Sequence, residues 1–386
     1  MTRRSTRLRA THTSRPPRLR DAARFDETDA WELEYEPAPR GRARRRRRRS
    51  AWGTLKLIVG LALLAIIAGT VLLGMRAGAF NERVSSAPFL STALLGPLNG
   101  NDRVNILLVG YGGGDHDGAF LADSISILSI DPQTDTTTTI PIPRDLWIEG
   151  VSHLPQNGKV NEAFAIGQLN GGIDGAGELL AGVLAEVTGL EIDGWMAIDF
   201  DGFQEMVDAV GGVTIQNPTA FSYTMNEQLH DSQAWNDGSF AAGEIELNGE
   251  EALAYARARY TNVPSESADF ARSVRQARII GGLRSEVGEG GLGAIGPGIG
   301  LMNAMEDRLH TDLSAIDLFL LSGHMGSDRR VELLEDVVLT ATTNTIGQYI
   351  LIPVGWTGPG AYGFLQSYLA EELARPIESP DPTVAP

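Results

Sequence analysis

The chain contains no cysteine, which excludes both a disulfide framework and a thiolate metal site. Lysine is sparse, so the positive charge is carried almost entirely by arginine. That charge is unevenly placed. The formal net charge is −17, yet residues 1–50 hold 16 Arg against 7 Asp and Glu, a net of about +9, leaving about −26 for the remainder. The glycine-rich loop Tyr111–Gly118 lacks the Gly-Lys-Ser/Thr ending that would make it a P-loop.

Long hydrophobic runs are also missing, with one exception. Residues 1–39 are polar and rich in Arg and Pro, without an apolar period, and are expected to be disordered. A basic run, Arg40 to Arg49, then leads into Leu55–Met75, where Lys56 is the single charge and can snorkel to the basic side. About 20 apolar residues match a bilayer core of about 30 Å. A signal peptide has a shorter core, begins near residue 1 and ends in a small-residue cleavage site. The fifty-residue preface therefore predicts an uncleaved anchor. The expected organisation is a disordered basic cytoplasmic tail over 1–50, a transmembrane helix over 51–76, a juxtamembrane linker over 77–102, an extracytoplasmic domain over 103–374 and a disordered Pro-rich tail over 375–386. The arginine cluster predicts a single-pass plasma-membrane protein with its N-terminus in the cytoplasm. Topology and anionic lipid account for that cluster, and no nucleic-acid partner is expected.

The exported part is organised around Asp123–Asp145. Ser124–Ile130 alternates at the period of a strand, Asp131–Asp135 is turn chemistry, and Thr136–Ile142 is β-branched and reads as the return strand. Such a hairpin brings Asp123 at its start and Arg144-Asp145 at its end to the same end of a sheet. A carboxylate able to hold a metal then stands beside a guanidinium able to hold a phosphate; the plainer reading is a surface ion pair at a hairpin mouth.

Val104–Gly110 is expected as a buried strand, followed by the Gly-rich loop with Asp115 and Asp117. Lys159–Phe164 opens a helix, and Glu178–Val187 forms a second one with an apolar face. Gly194–Gln216 reads as a strand–helix–strand unit, and residues 217–243 as a polar excursion without regular structure. Asn248 is expected to cap a helix that ends near Arg257 and Arg259. Arg272 and Gln276 lie four apart on one face of a helix opened by Asp269. Gly288–Gly300 reads as a loop, Leu313–Leu321 as an amphipathic helix with Phe319 among its inward residues, Tyr349–Pro353 as a strand and Ala361–Leu373 as a closing helix. The fold class predicted is α/β, a single mixed β-sheet flanked by helices, preceded by the basic tail and one transmembrane helix.

Six segments in order, N-I-L-L-V-G, D-S-I-S-I-L-S-I-D-P with I-P-R-D, K-V-N-E-A-F, I-D-F-D-G-F with V-G-G-V, L-N-G-E-E-A-L-A-Y-A-R-A-R and D-F-A-R-S-V-R-Q, resemble the LytR-CpsA-Psr family over roughly Val104 to Ile280. The resemblance implies a membrane-anchored phosphotransferase that moves a glycopolymer from a polyprenyl-pyrophosphate carrier onto peptidoglycan or another wall glycan. It implies Arg144 and Asp123 as catalytic residues, with Lys159, Arg257, Arg259, Arg272 and Gln276 binding the donor's phosphates. It also implies Mg²⁺, with Mn²⁺ as the alternative, on Asp123 and one loop acid, Asp117 or Asp115. Asp145 is close in sequence and either acts as base or orients Arg144. The sequence departs from the family at Leu121, where the pattern usually has arginine. Alternative readings are a polyprenyl-pyrophosphate phosphohydrolase and a non-catalytic lipid-phosphate-binding envelope regulator.

Overall fold

The computed structural model describes residues 73–100, 102–114, 118–224, 238–267, 269–290, 303, 305–322, 324 and 327–376. The basic tail, the expected membrane span up to residue 72, Asp115, Asp117 and the tail from 377 lie outside the described residues. Among the described residues no helix is long and apolar enough to cross a membrane.

The first described element, α1 over residues 73–84, is followed by the short helix α2 (Leu95–Leu98). Phe80, Val84, Leu94 and Leu98 are buried in the domain's cores, so residues 77–102, expected as a linker, pack as part of the folded body. β1 (Val104–Tyr111) then pairs antiparallel with β2 (Ala122–Asp131), which pairs antiparallel with β3 (Thr136–Pro141). The hairpin forms as its pattern predicts. Ile125 and Ile127 are buried on one face of β2, Leu128 and Ile130 in separate core residues on the other side. In its turn, Asp131 Oδ1 accepts from Gln133 N at 3.0 Å and Asp135 adopts φ 50°.

Beyond β3 come the short strands β4 (Trp147–Ile148) and β5 (Gly158–Lys159), and then α3 (Val160–Thr188). The two helices expected between Lys159 and Val187 both form: α3 is divided at Gly171 and Gly172, where φ/ψ leave the helical region, and its second half turns back so that Gly175 and Ala176 pack against Gly167. β6 (Gly194–Asp199) lies parallel to β1. Trp195, fully buried, sits against Gly177 of α3, and a Cβ there would collide with the indole ring.

α4 (Phe200–Ala209) and β7 (Val213–Asn217) follow. The expected strand–helix–strand unit is corrected here, because β7 leaves the main sheet and pairs with a later strand. The expected absence of regular structure over 217–243 is corrected too: β8 (Phe221–Thr224), β9 (Gly238–Phe240) and β10 (Gly243–Leu247) form there, with β10 the partner of β7. β8 and β9 are held by an aromatic cluster in which the rings of Tyr223 and Phe240 stack at 5.5 Å and Phe240 meets Tyr255 edge-on at 5.0 Å. α5 (Gly249–Arg257) starts in a full capping box between Asn248 and Glu251. β11 (Arg259–Thr261) joins β8, and α6 (Pro264–Ser267) and α7 (Asp269–Gly290) follow, α7 extending into the stretch expected as a loop.

The last part of the chain completes the sheet. β12 (Leu309–Thr311) adds antiparallel to β6; α8 (Ala315–Ser322) leads on to β13 (Ser327–Arg330), which adds parallel to β3. Phe319 of α8 is 66% exposed, against its expected inward position. The hairpin β14 (Leu339–Thr343) and β15 (Tyr349–Pro353) and the closing helix α9 (Gly363–Ala374) end the described chain. Among the described residues the main sheet is mixed and six-stranded, in the order β12-β6-β1-β2-β3-β13, with helices packed against it; four small sheets accompany it where a single sheet was expected.

One buried carboxyl gives this fold a pH dependence. Burial pushes Asp312 up to about 6, and the neighbouring Glu178 and Asp174 add to the shift, against a hydrogen bond from Trp195 N at 2.7 Å. Because the folded value lies above the unfolded one, the protonated form favours folding, and that contribution fades as pH rises through about 6. Asp312→Asn keeps an acceptor for Trp195 N. It is expected to raise stability at pH 8 by about 1–3 kcal/mol, and to change little at pH 4, as followed by denaturant unfolding.

Candidate functional site

The pairing pattern collects chemistry at one end of the main sheet. β1 and β6 finish there, β2 starts there, and β3 leaves there. Tyr111 stands opposite Asp199 on one side and Ala122 on the other, and the register of β1 with β2 breaks between Gly110 and Tyr111. Gly110 pairs with Ser124 and Tyr111 with Ala122, so Asp123 is the extra residue of a bulge, a device that re-aims a side chain at a strand end.

Arg144 Nη1 donates to Asp123 Oδ1 at 2.9 Å, and its Nε lies 3.6 Å from Asp145 Oδ2. Lys159 Nζ donates to Asp145 Oδ1. Asp145 thus bridges the two cations and orients them. The backbone fixes this array: Val160 N donates to Leu146 O at 2.8 Å and Asn161 N to Arg144 O at 3.3 Å, which docks the start of α3 on the loop that carries Arg144. Asp145 is buried, whereas the Arg144 and Asp123 side chains keep 24% and 33% of their surface, enough to meet a ligand. Arg144 Nε is itself buried and has no hydrogen-bond partner among the described residues.

α7 adds to the same end. Ser124 Oγ donates to Gln276 Oε1 at 3.2 Å, which places Gln276 beside the start of β2. Arg272, one turn earlier, is buried. Arg257 is exposed, with its guanidinium 4.3 Å from the Phe200 ring centroid, directly after the end of β6. Arg259 begins β11 opposite Thr224, and among the described residues no ion pair or side-chain hydrogen bond joins it to the Arg144 array. Leu121, half-buried, faces Gly118.

Three residues at or behind this end were not singled out from the sequence. Arg308 Nη1 donates to Asp199 Oδ2 at 3.1 Å, and Asp199 Oδ1 caps α4 by accepting from Gly202 N at 2.8 Å. Asp199 raises the affinity of Arg308 for its proton, chiefly through that hydrogen bond. Burial, reinforced by the Asp199 charge, pushes the Tyr111 phenol up and keeps it protonated. Gly113, at φ +70°, lets the loop pass over Asp199, where a Cβ would approach Asp199 Cβ to 2.9 Å. The third, Arg275, is 1% exposed and ties the helices behind Arg257 together, donating to Tyr255 O, Ala258 O, Glu266 O and Glu266 Oε2 at 2.6–2.9 Å.

Among the described residues no three His, Cys, Asp or Glu side chains gather as a metal site. Asp123 Oδ2 has no hydrogen bond among them. Of the apolar residues on α3 and around α8, Leu180, Val183, Leu184, Val187, Leu313 and Leu321 are buried within packed cores, while Leu179, Ile316 and Leu320 are half-buried.

The model of the LytR_cpsA_psr family matches residues 79–351. The chain belongs to this family. Among LytR_cpsA_psr relatives, the polyisoprenyl-teichoic acid–peptidoglycan teichoic acid transferase TagU of Oceanobacillus iheyensis is 30% identical over 253 residues, 65% of this chain and 72% of that protein. TagU of Halalkalibacterium halodurans is 29% identical over 258 residues, 66% of this chain and 76% of its own length. The crystal structure of B. subtilis TagU shares the fold with a TM-score of 0.50 at 24% identity, covering 72% of this chain and all of that one. The match begins within α1, in agreement with the burial of Phe80 and Val84.

Proposed function

We propose that this chain is a membrane-anchored phosphotransferase that moves a glycopolymer from a polyprenyl-pyrophosphate carrier onto peptidoglycan. The observation that carries the reading is the Asp123–Arg144–Asp145–Lys159 array, open to ligand at the sheet end, in a chain related to transferases named for that transfer. Arg144 presents a fork suited to phosphate oxygens, and Lys159 adds a point charge. Arg272, Arg257, Arg259 and Gln276 complete the donor's phosphate site. The acceptor's hydroxyl oxygen forms a bond to the phosphorus that bears the glycan. The bond from that phosphorus to the bridging oxygen breaks, and polyprenyl phosphate leaves with the electron pair and takes up the proton that the hydroxyl loses. Charge growing on the leaving phosphate is met by the Arg144 guanidinium and the Lys159 ammonium, which Asp123 and Asp145 already hold in place, so little reorganisation accompanies the step.

The donor set is all oxygen, which suits a hard divalent cation. Asp123 Oδ2 would hold Mg²⁺, with Mn²⁺ as the alternative, together with Asp117 or Asp115 and phosphate oxygens. When bound, the ion supplies neutralisation of phosphate charge. The basic cluster and apolar run ahead of α1 support a single span, with the tail in the cytoplasm and this domain outside.

The full chain in detergent, given a polyprenyl-pyrophosphate glycan, is expected to release polyprenyl phosphate and form a glycan–peptidoglycan phosphodiester only when acceptor is present. Chelation should stop the reaction and Mg²⁺ restore it. Release at the same rate without acceptor would make the protein a hydrolase instead.

A further inference from the structure

We propose that the outer half of the β14–β15 hairpin is a platform for the acceptor glycan, a subsite separate from the phosphate-binding arginines. The proposal rests on the transfer reading above.

Placement comes first. Leu351 N donates to Asp145 O at 2.9 Å, and Leu351 bridges Leu146 in parallel. β15 therefore runs alongside the segment that follows Arg144, in the same direction, and the residues before Leu351 extend to the level of Asp145 and past it. That segment turns back at Pro143, whose carbonyl accepts from Leu146 N at 3.0 Å, and descends to Ser152, which bonds Glu186 near the end of α3. The loop after α3 meets the far end of the sheet, where Asp193 N donates to Asn105 O at 2.8 Å. The chain from Arg144 to Ser152 thus leads away from the reactive end, and the hairpin tip, pointing the opposite way, stands beyond it.

The arm is exposed and stiff. From Thr342 to Tyr349 every residue but Asn344 is exposed, with Ile346 at 76% and Tyr349 at 43%. Asn344 organises the tip from within. Its Oδ1 accepts from Ile346 N at 3.1 Å and Gln348 N at 2.9 Å, and its Nδ2 donates to Gln348 Oε1 at 2.8 Å. Gly347, at φ +82°, supplies the left-handed turn residue. Such internal bonding makes a preformed surface, which lowers the ordering cost of binding.

The chemistry decides the occupant. Residues 337–370 contain no Asp, Glu, Lys, Arg or His, in a chain that is 21% charged. A neutral arm next to the segment that carries Arg144 does not compete for the donor's phosphates. Its Thr342, Thr343 and Thr345 hydroxyls both donate and accept, which matches the hydroxyl and amide groups of a wall glycan. The Tyr349 ring offers a flat apolar face for the C–H side of a sugar. The acceptor would then reach the donor's phosphorus from the arm side, with its hydroxyl directed toward Arg144.

Two variants of the full chain test this: residues 344–348 replaced by Asn-Gly, and Thr343→Ala/Thr345→Ala/Tyr349→Ala with the native turn kept. Both are assayed in detergent with soluble glycan fragments, beside a direct measurement of fragment binding by saturation-transfer NMR. Acceptor KM is expected to rise about tenfold, the loss of roughly 1.4 kcal/mol of binding, while donor KM and kcat hold and fragment binding fades. Unchanged acceptor KM and fragment binding in the triple variant overturn the proposal. So does a defect seen only with donor in lipid vesicles, which would assign the arm to the membrane surface. Failure of the transfer reading is distinct: the unmodified protein would form no product with any acceptor, whereas fragment binding still reports on the arm.

Discussion

Arg144→Ala is expected to lower glycan transfer by about 10²–10³-fold or more, the usual cost of removing one preorganised donor from a charged transition state, with the fold intact. The side chain is 24% exposed and lies outside the apolar cores, so its loss opens no large cavity. What disappears is the link between Asp123 and Asp145. Asp145 keeps Lys159, but Asp123 loses its cation and stands at the proposed phosphate site as an unscreened negative charge. Arg144→Lys is expected to recover little. An ammonium cannot reach Asp123 with one nitrogen and Asp145 with another while presenting the rest of a planar fork to phosphate. The transfer assay reads the loss, and an unfolding midpoint close to that of the parent protein shows that the domain has survived. Full activity in Arg144→Ala would refute the assignment.

The second large effect falls on stability. Arg275→Met is expected to cost about 3–5 kcal/mol, because removing one member of a buried ion pair leaves the other charge uncompensated. Glu266, 2.9 Å from Arg275 Nη1, is itself buried, and the carbonyls of Tyr255 and Ala258 also lose their donor. Burial alone draws the Arg275 proton affinity down, and Glu266 draws it back up, so each depends on the other. Glu266→Gln should be milder, since Glu266 O and the other two carbonyls still accept from the guanidinium. Denaturant unfolding ranks the two variants. Because Tyr255 and Ala258 lie either side of Arg257 and Ala258 directly precedes Arg259 in sequence, Arg275→Met should also weaken donor binding, seen as a raised donor KM in whatever fraction remains folded.

These two arginines mark where sequence reasoning succeeds and where it stops. The β2–β3 hairpin was legible because alternation, turn residues and β-branching agree over twenty residues, and hairpin geometry alone then pairs Asp123 with Arg144. The Asn248 cap was legible for the same reason, being local; the structure adds the reciprocal bond from Glu251. Arg272 and Arg275 sit three apart on one helix, and nothing in their spacing says that Arg275 collects carbonyls from an earlier helix while Arg272 lies a turn from Gln276. Asp199 and Arg308 are 109 residues apart, a pairing that depends on β12 joining β6. β8 and β9 escaped because each is short and their partnership rests on an aromatic cluster completed by Tyr255. The strand–helix–strand reading of Gly194–Gln216 failed at its last step: β7 has the right pattern for a strand, but its partner is β10.

The order in which the sheet is assembled carries its own consequence. Its four inner strands come from residues 104–199, while both borders, β12 and β13, are drawn from residues 309–330. As the chain is synthesised, β6 and β3 stay bare until more than a hundred further residues have followed. Open strand borders recruit other chains, and late, distant pairings slow folding. A nascent molecule halted before residue 309 would therefore be sticky, and quality control has a defined interval in which to act on it.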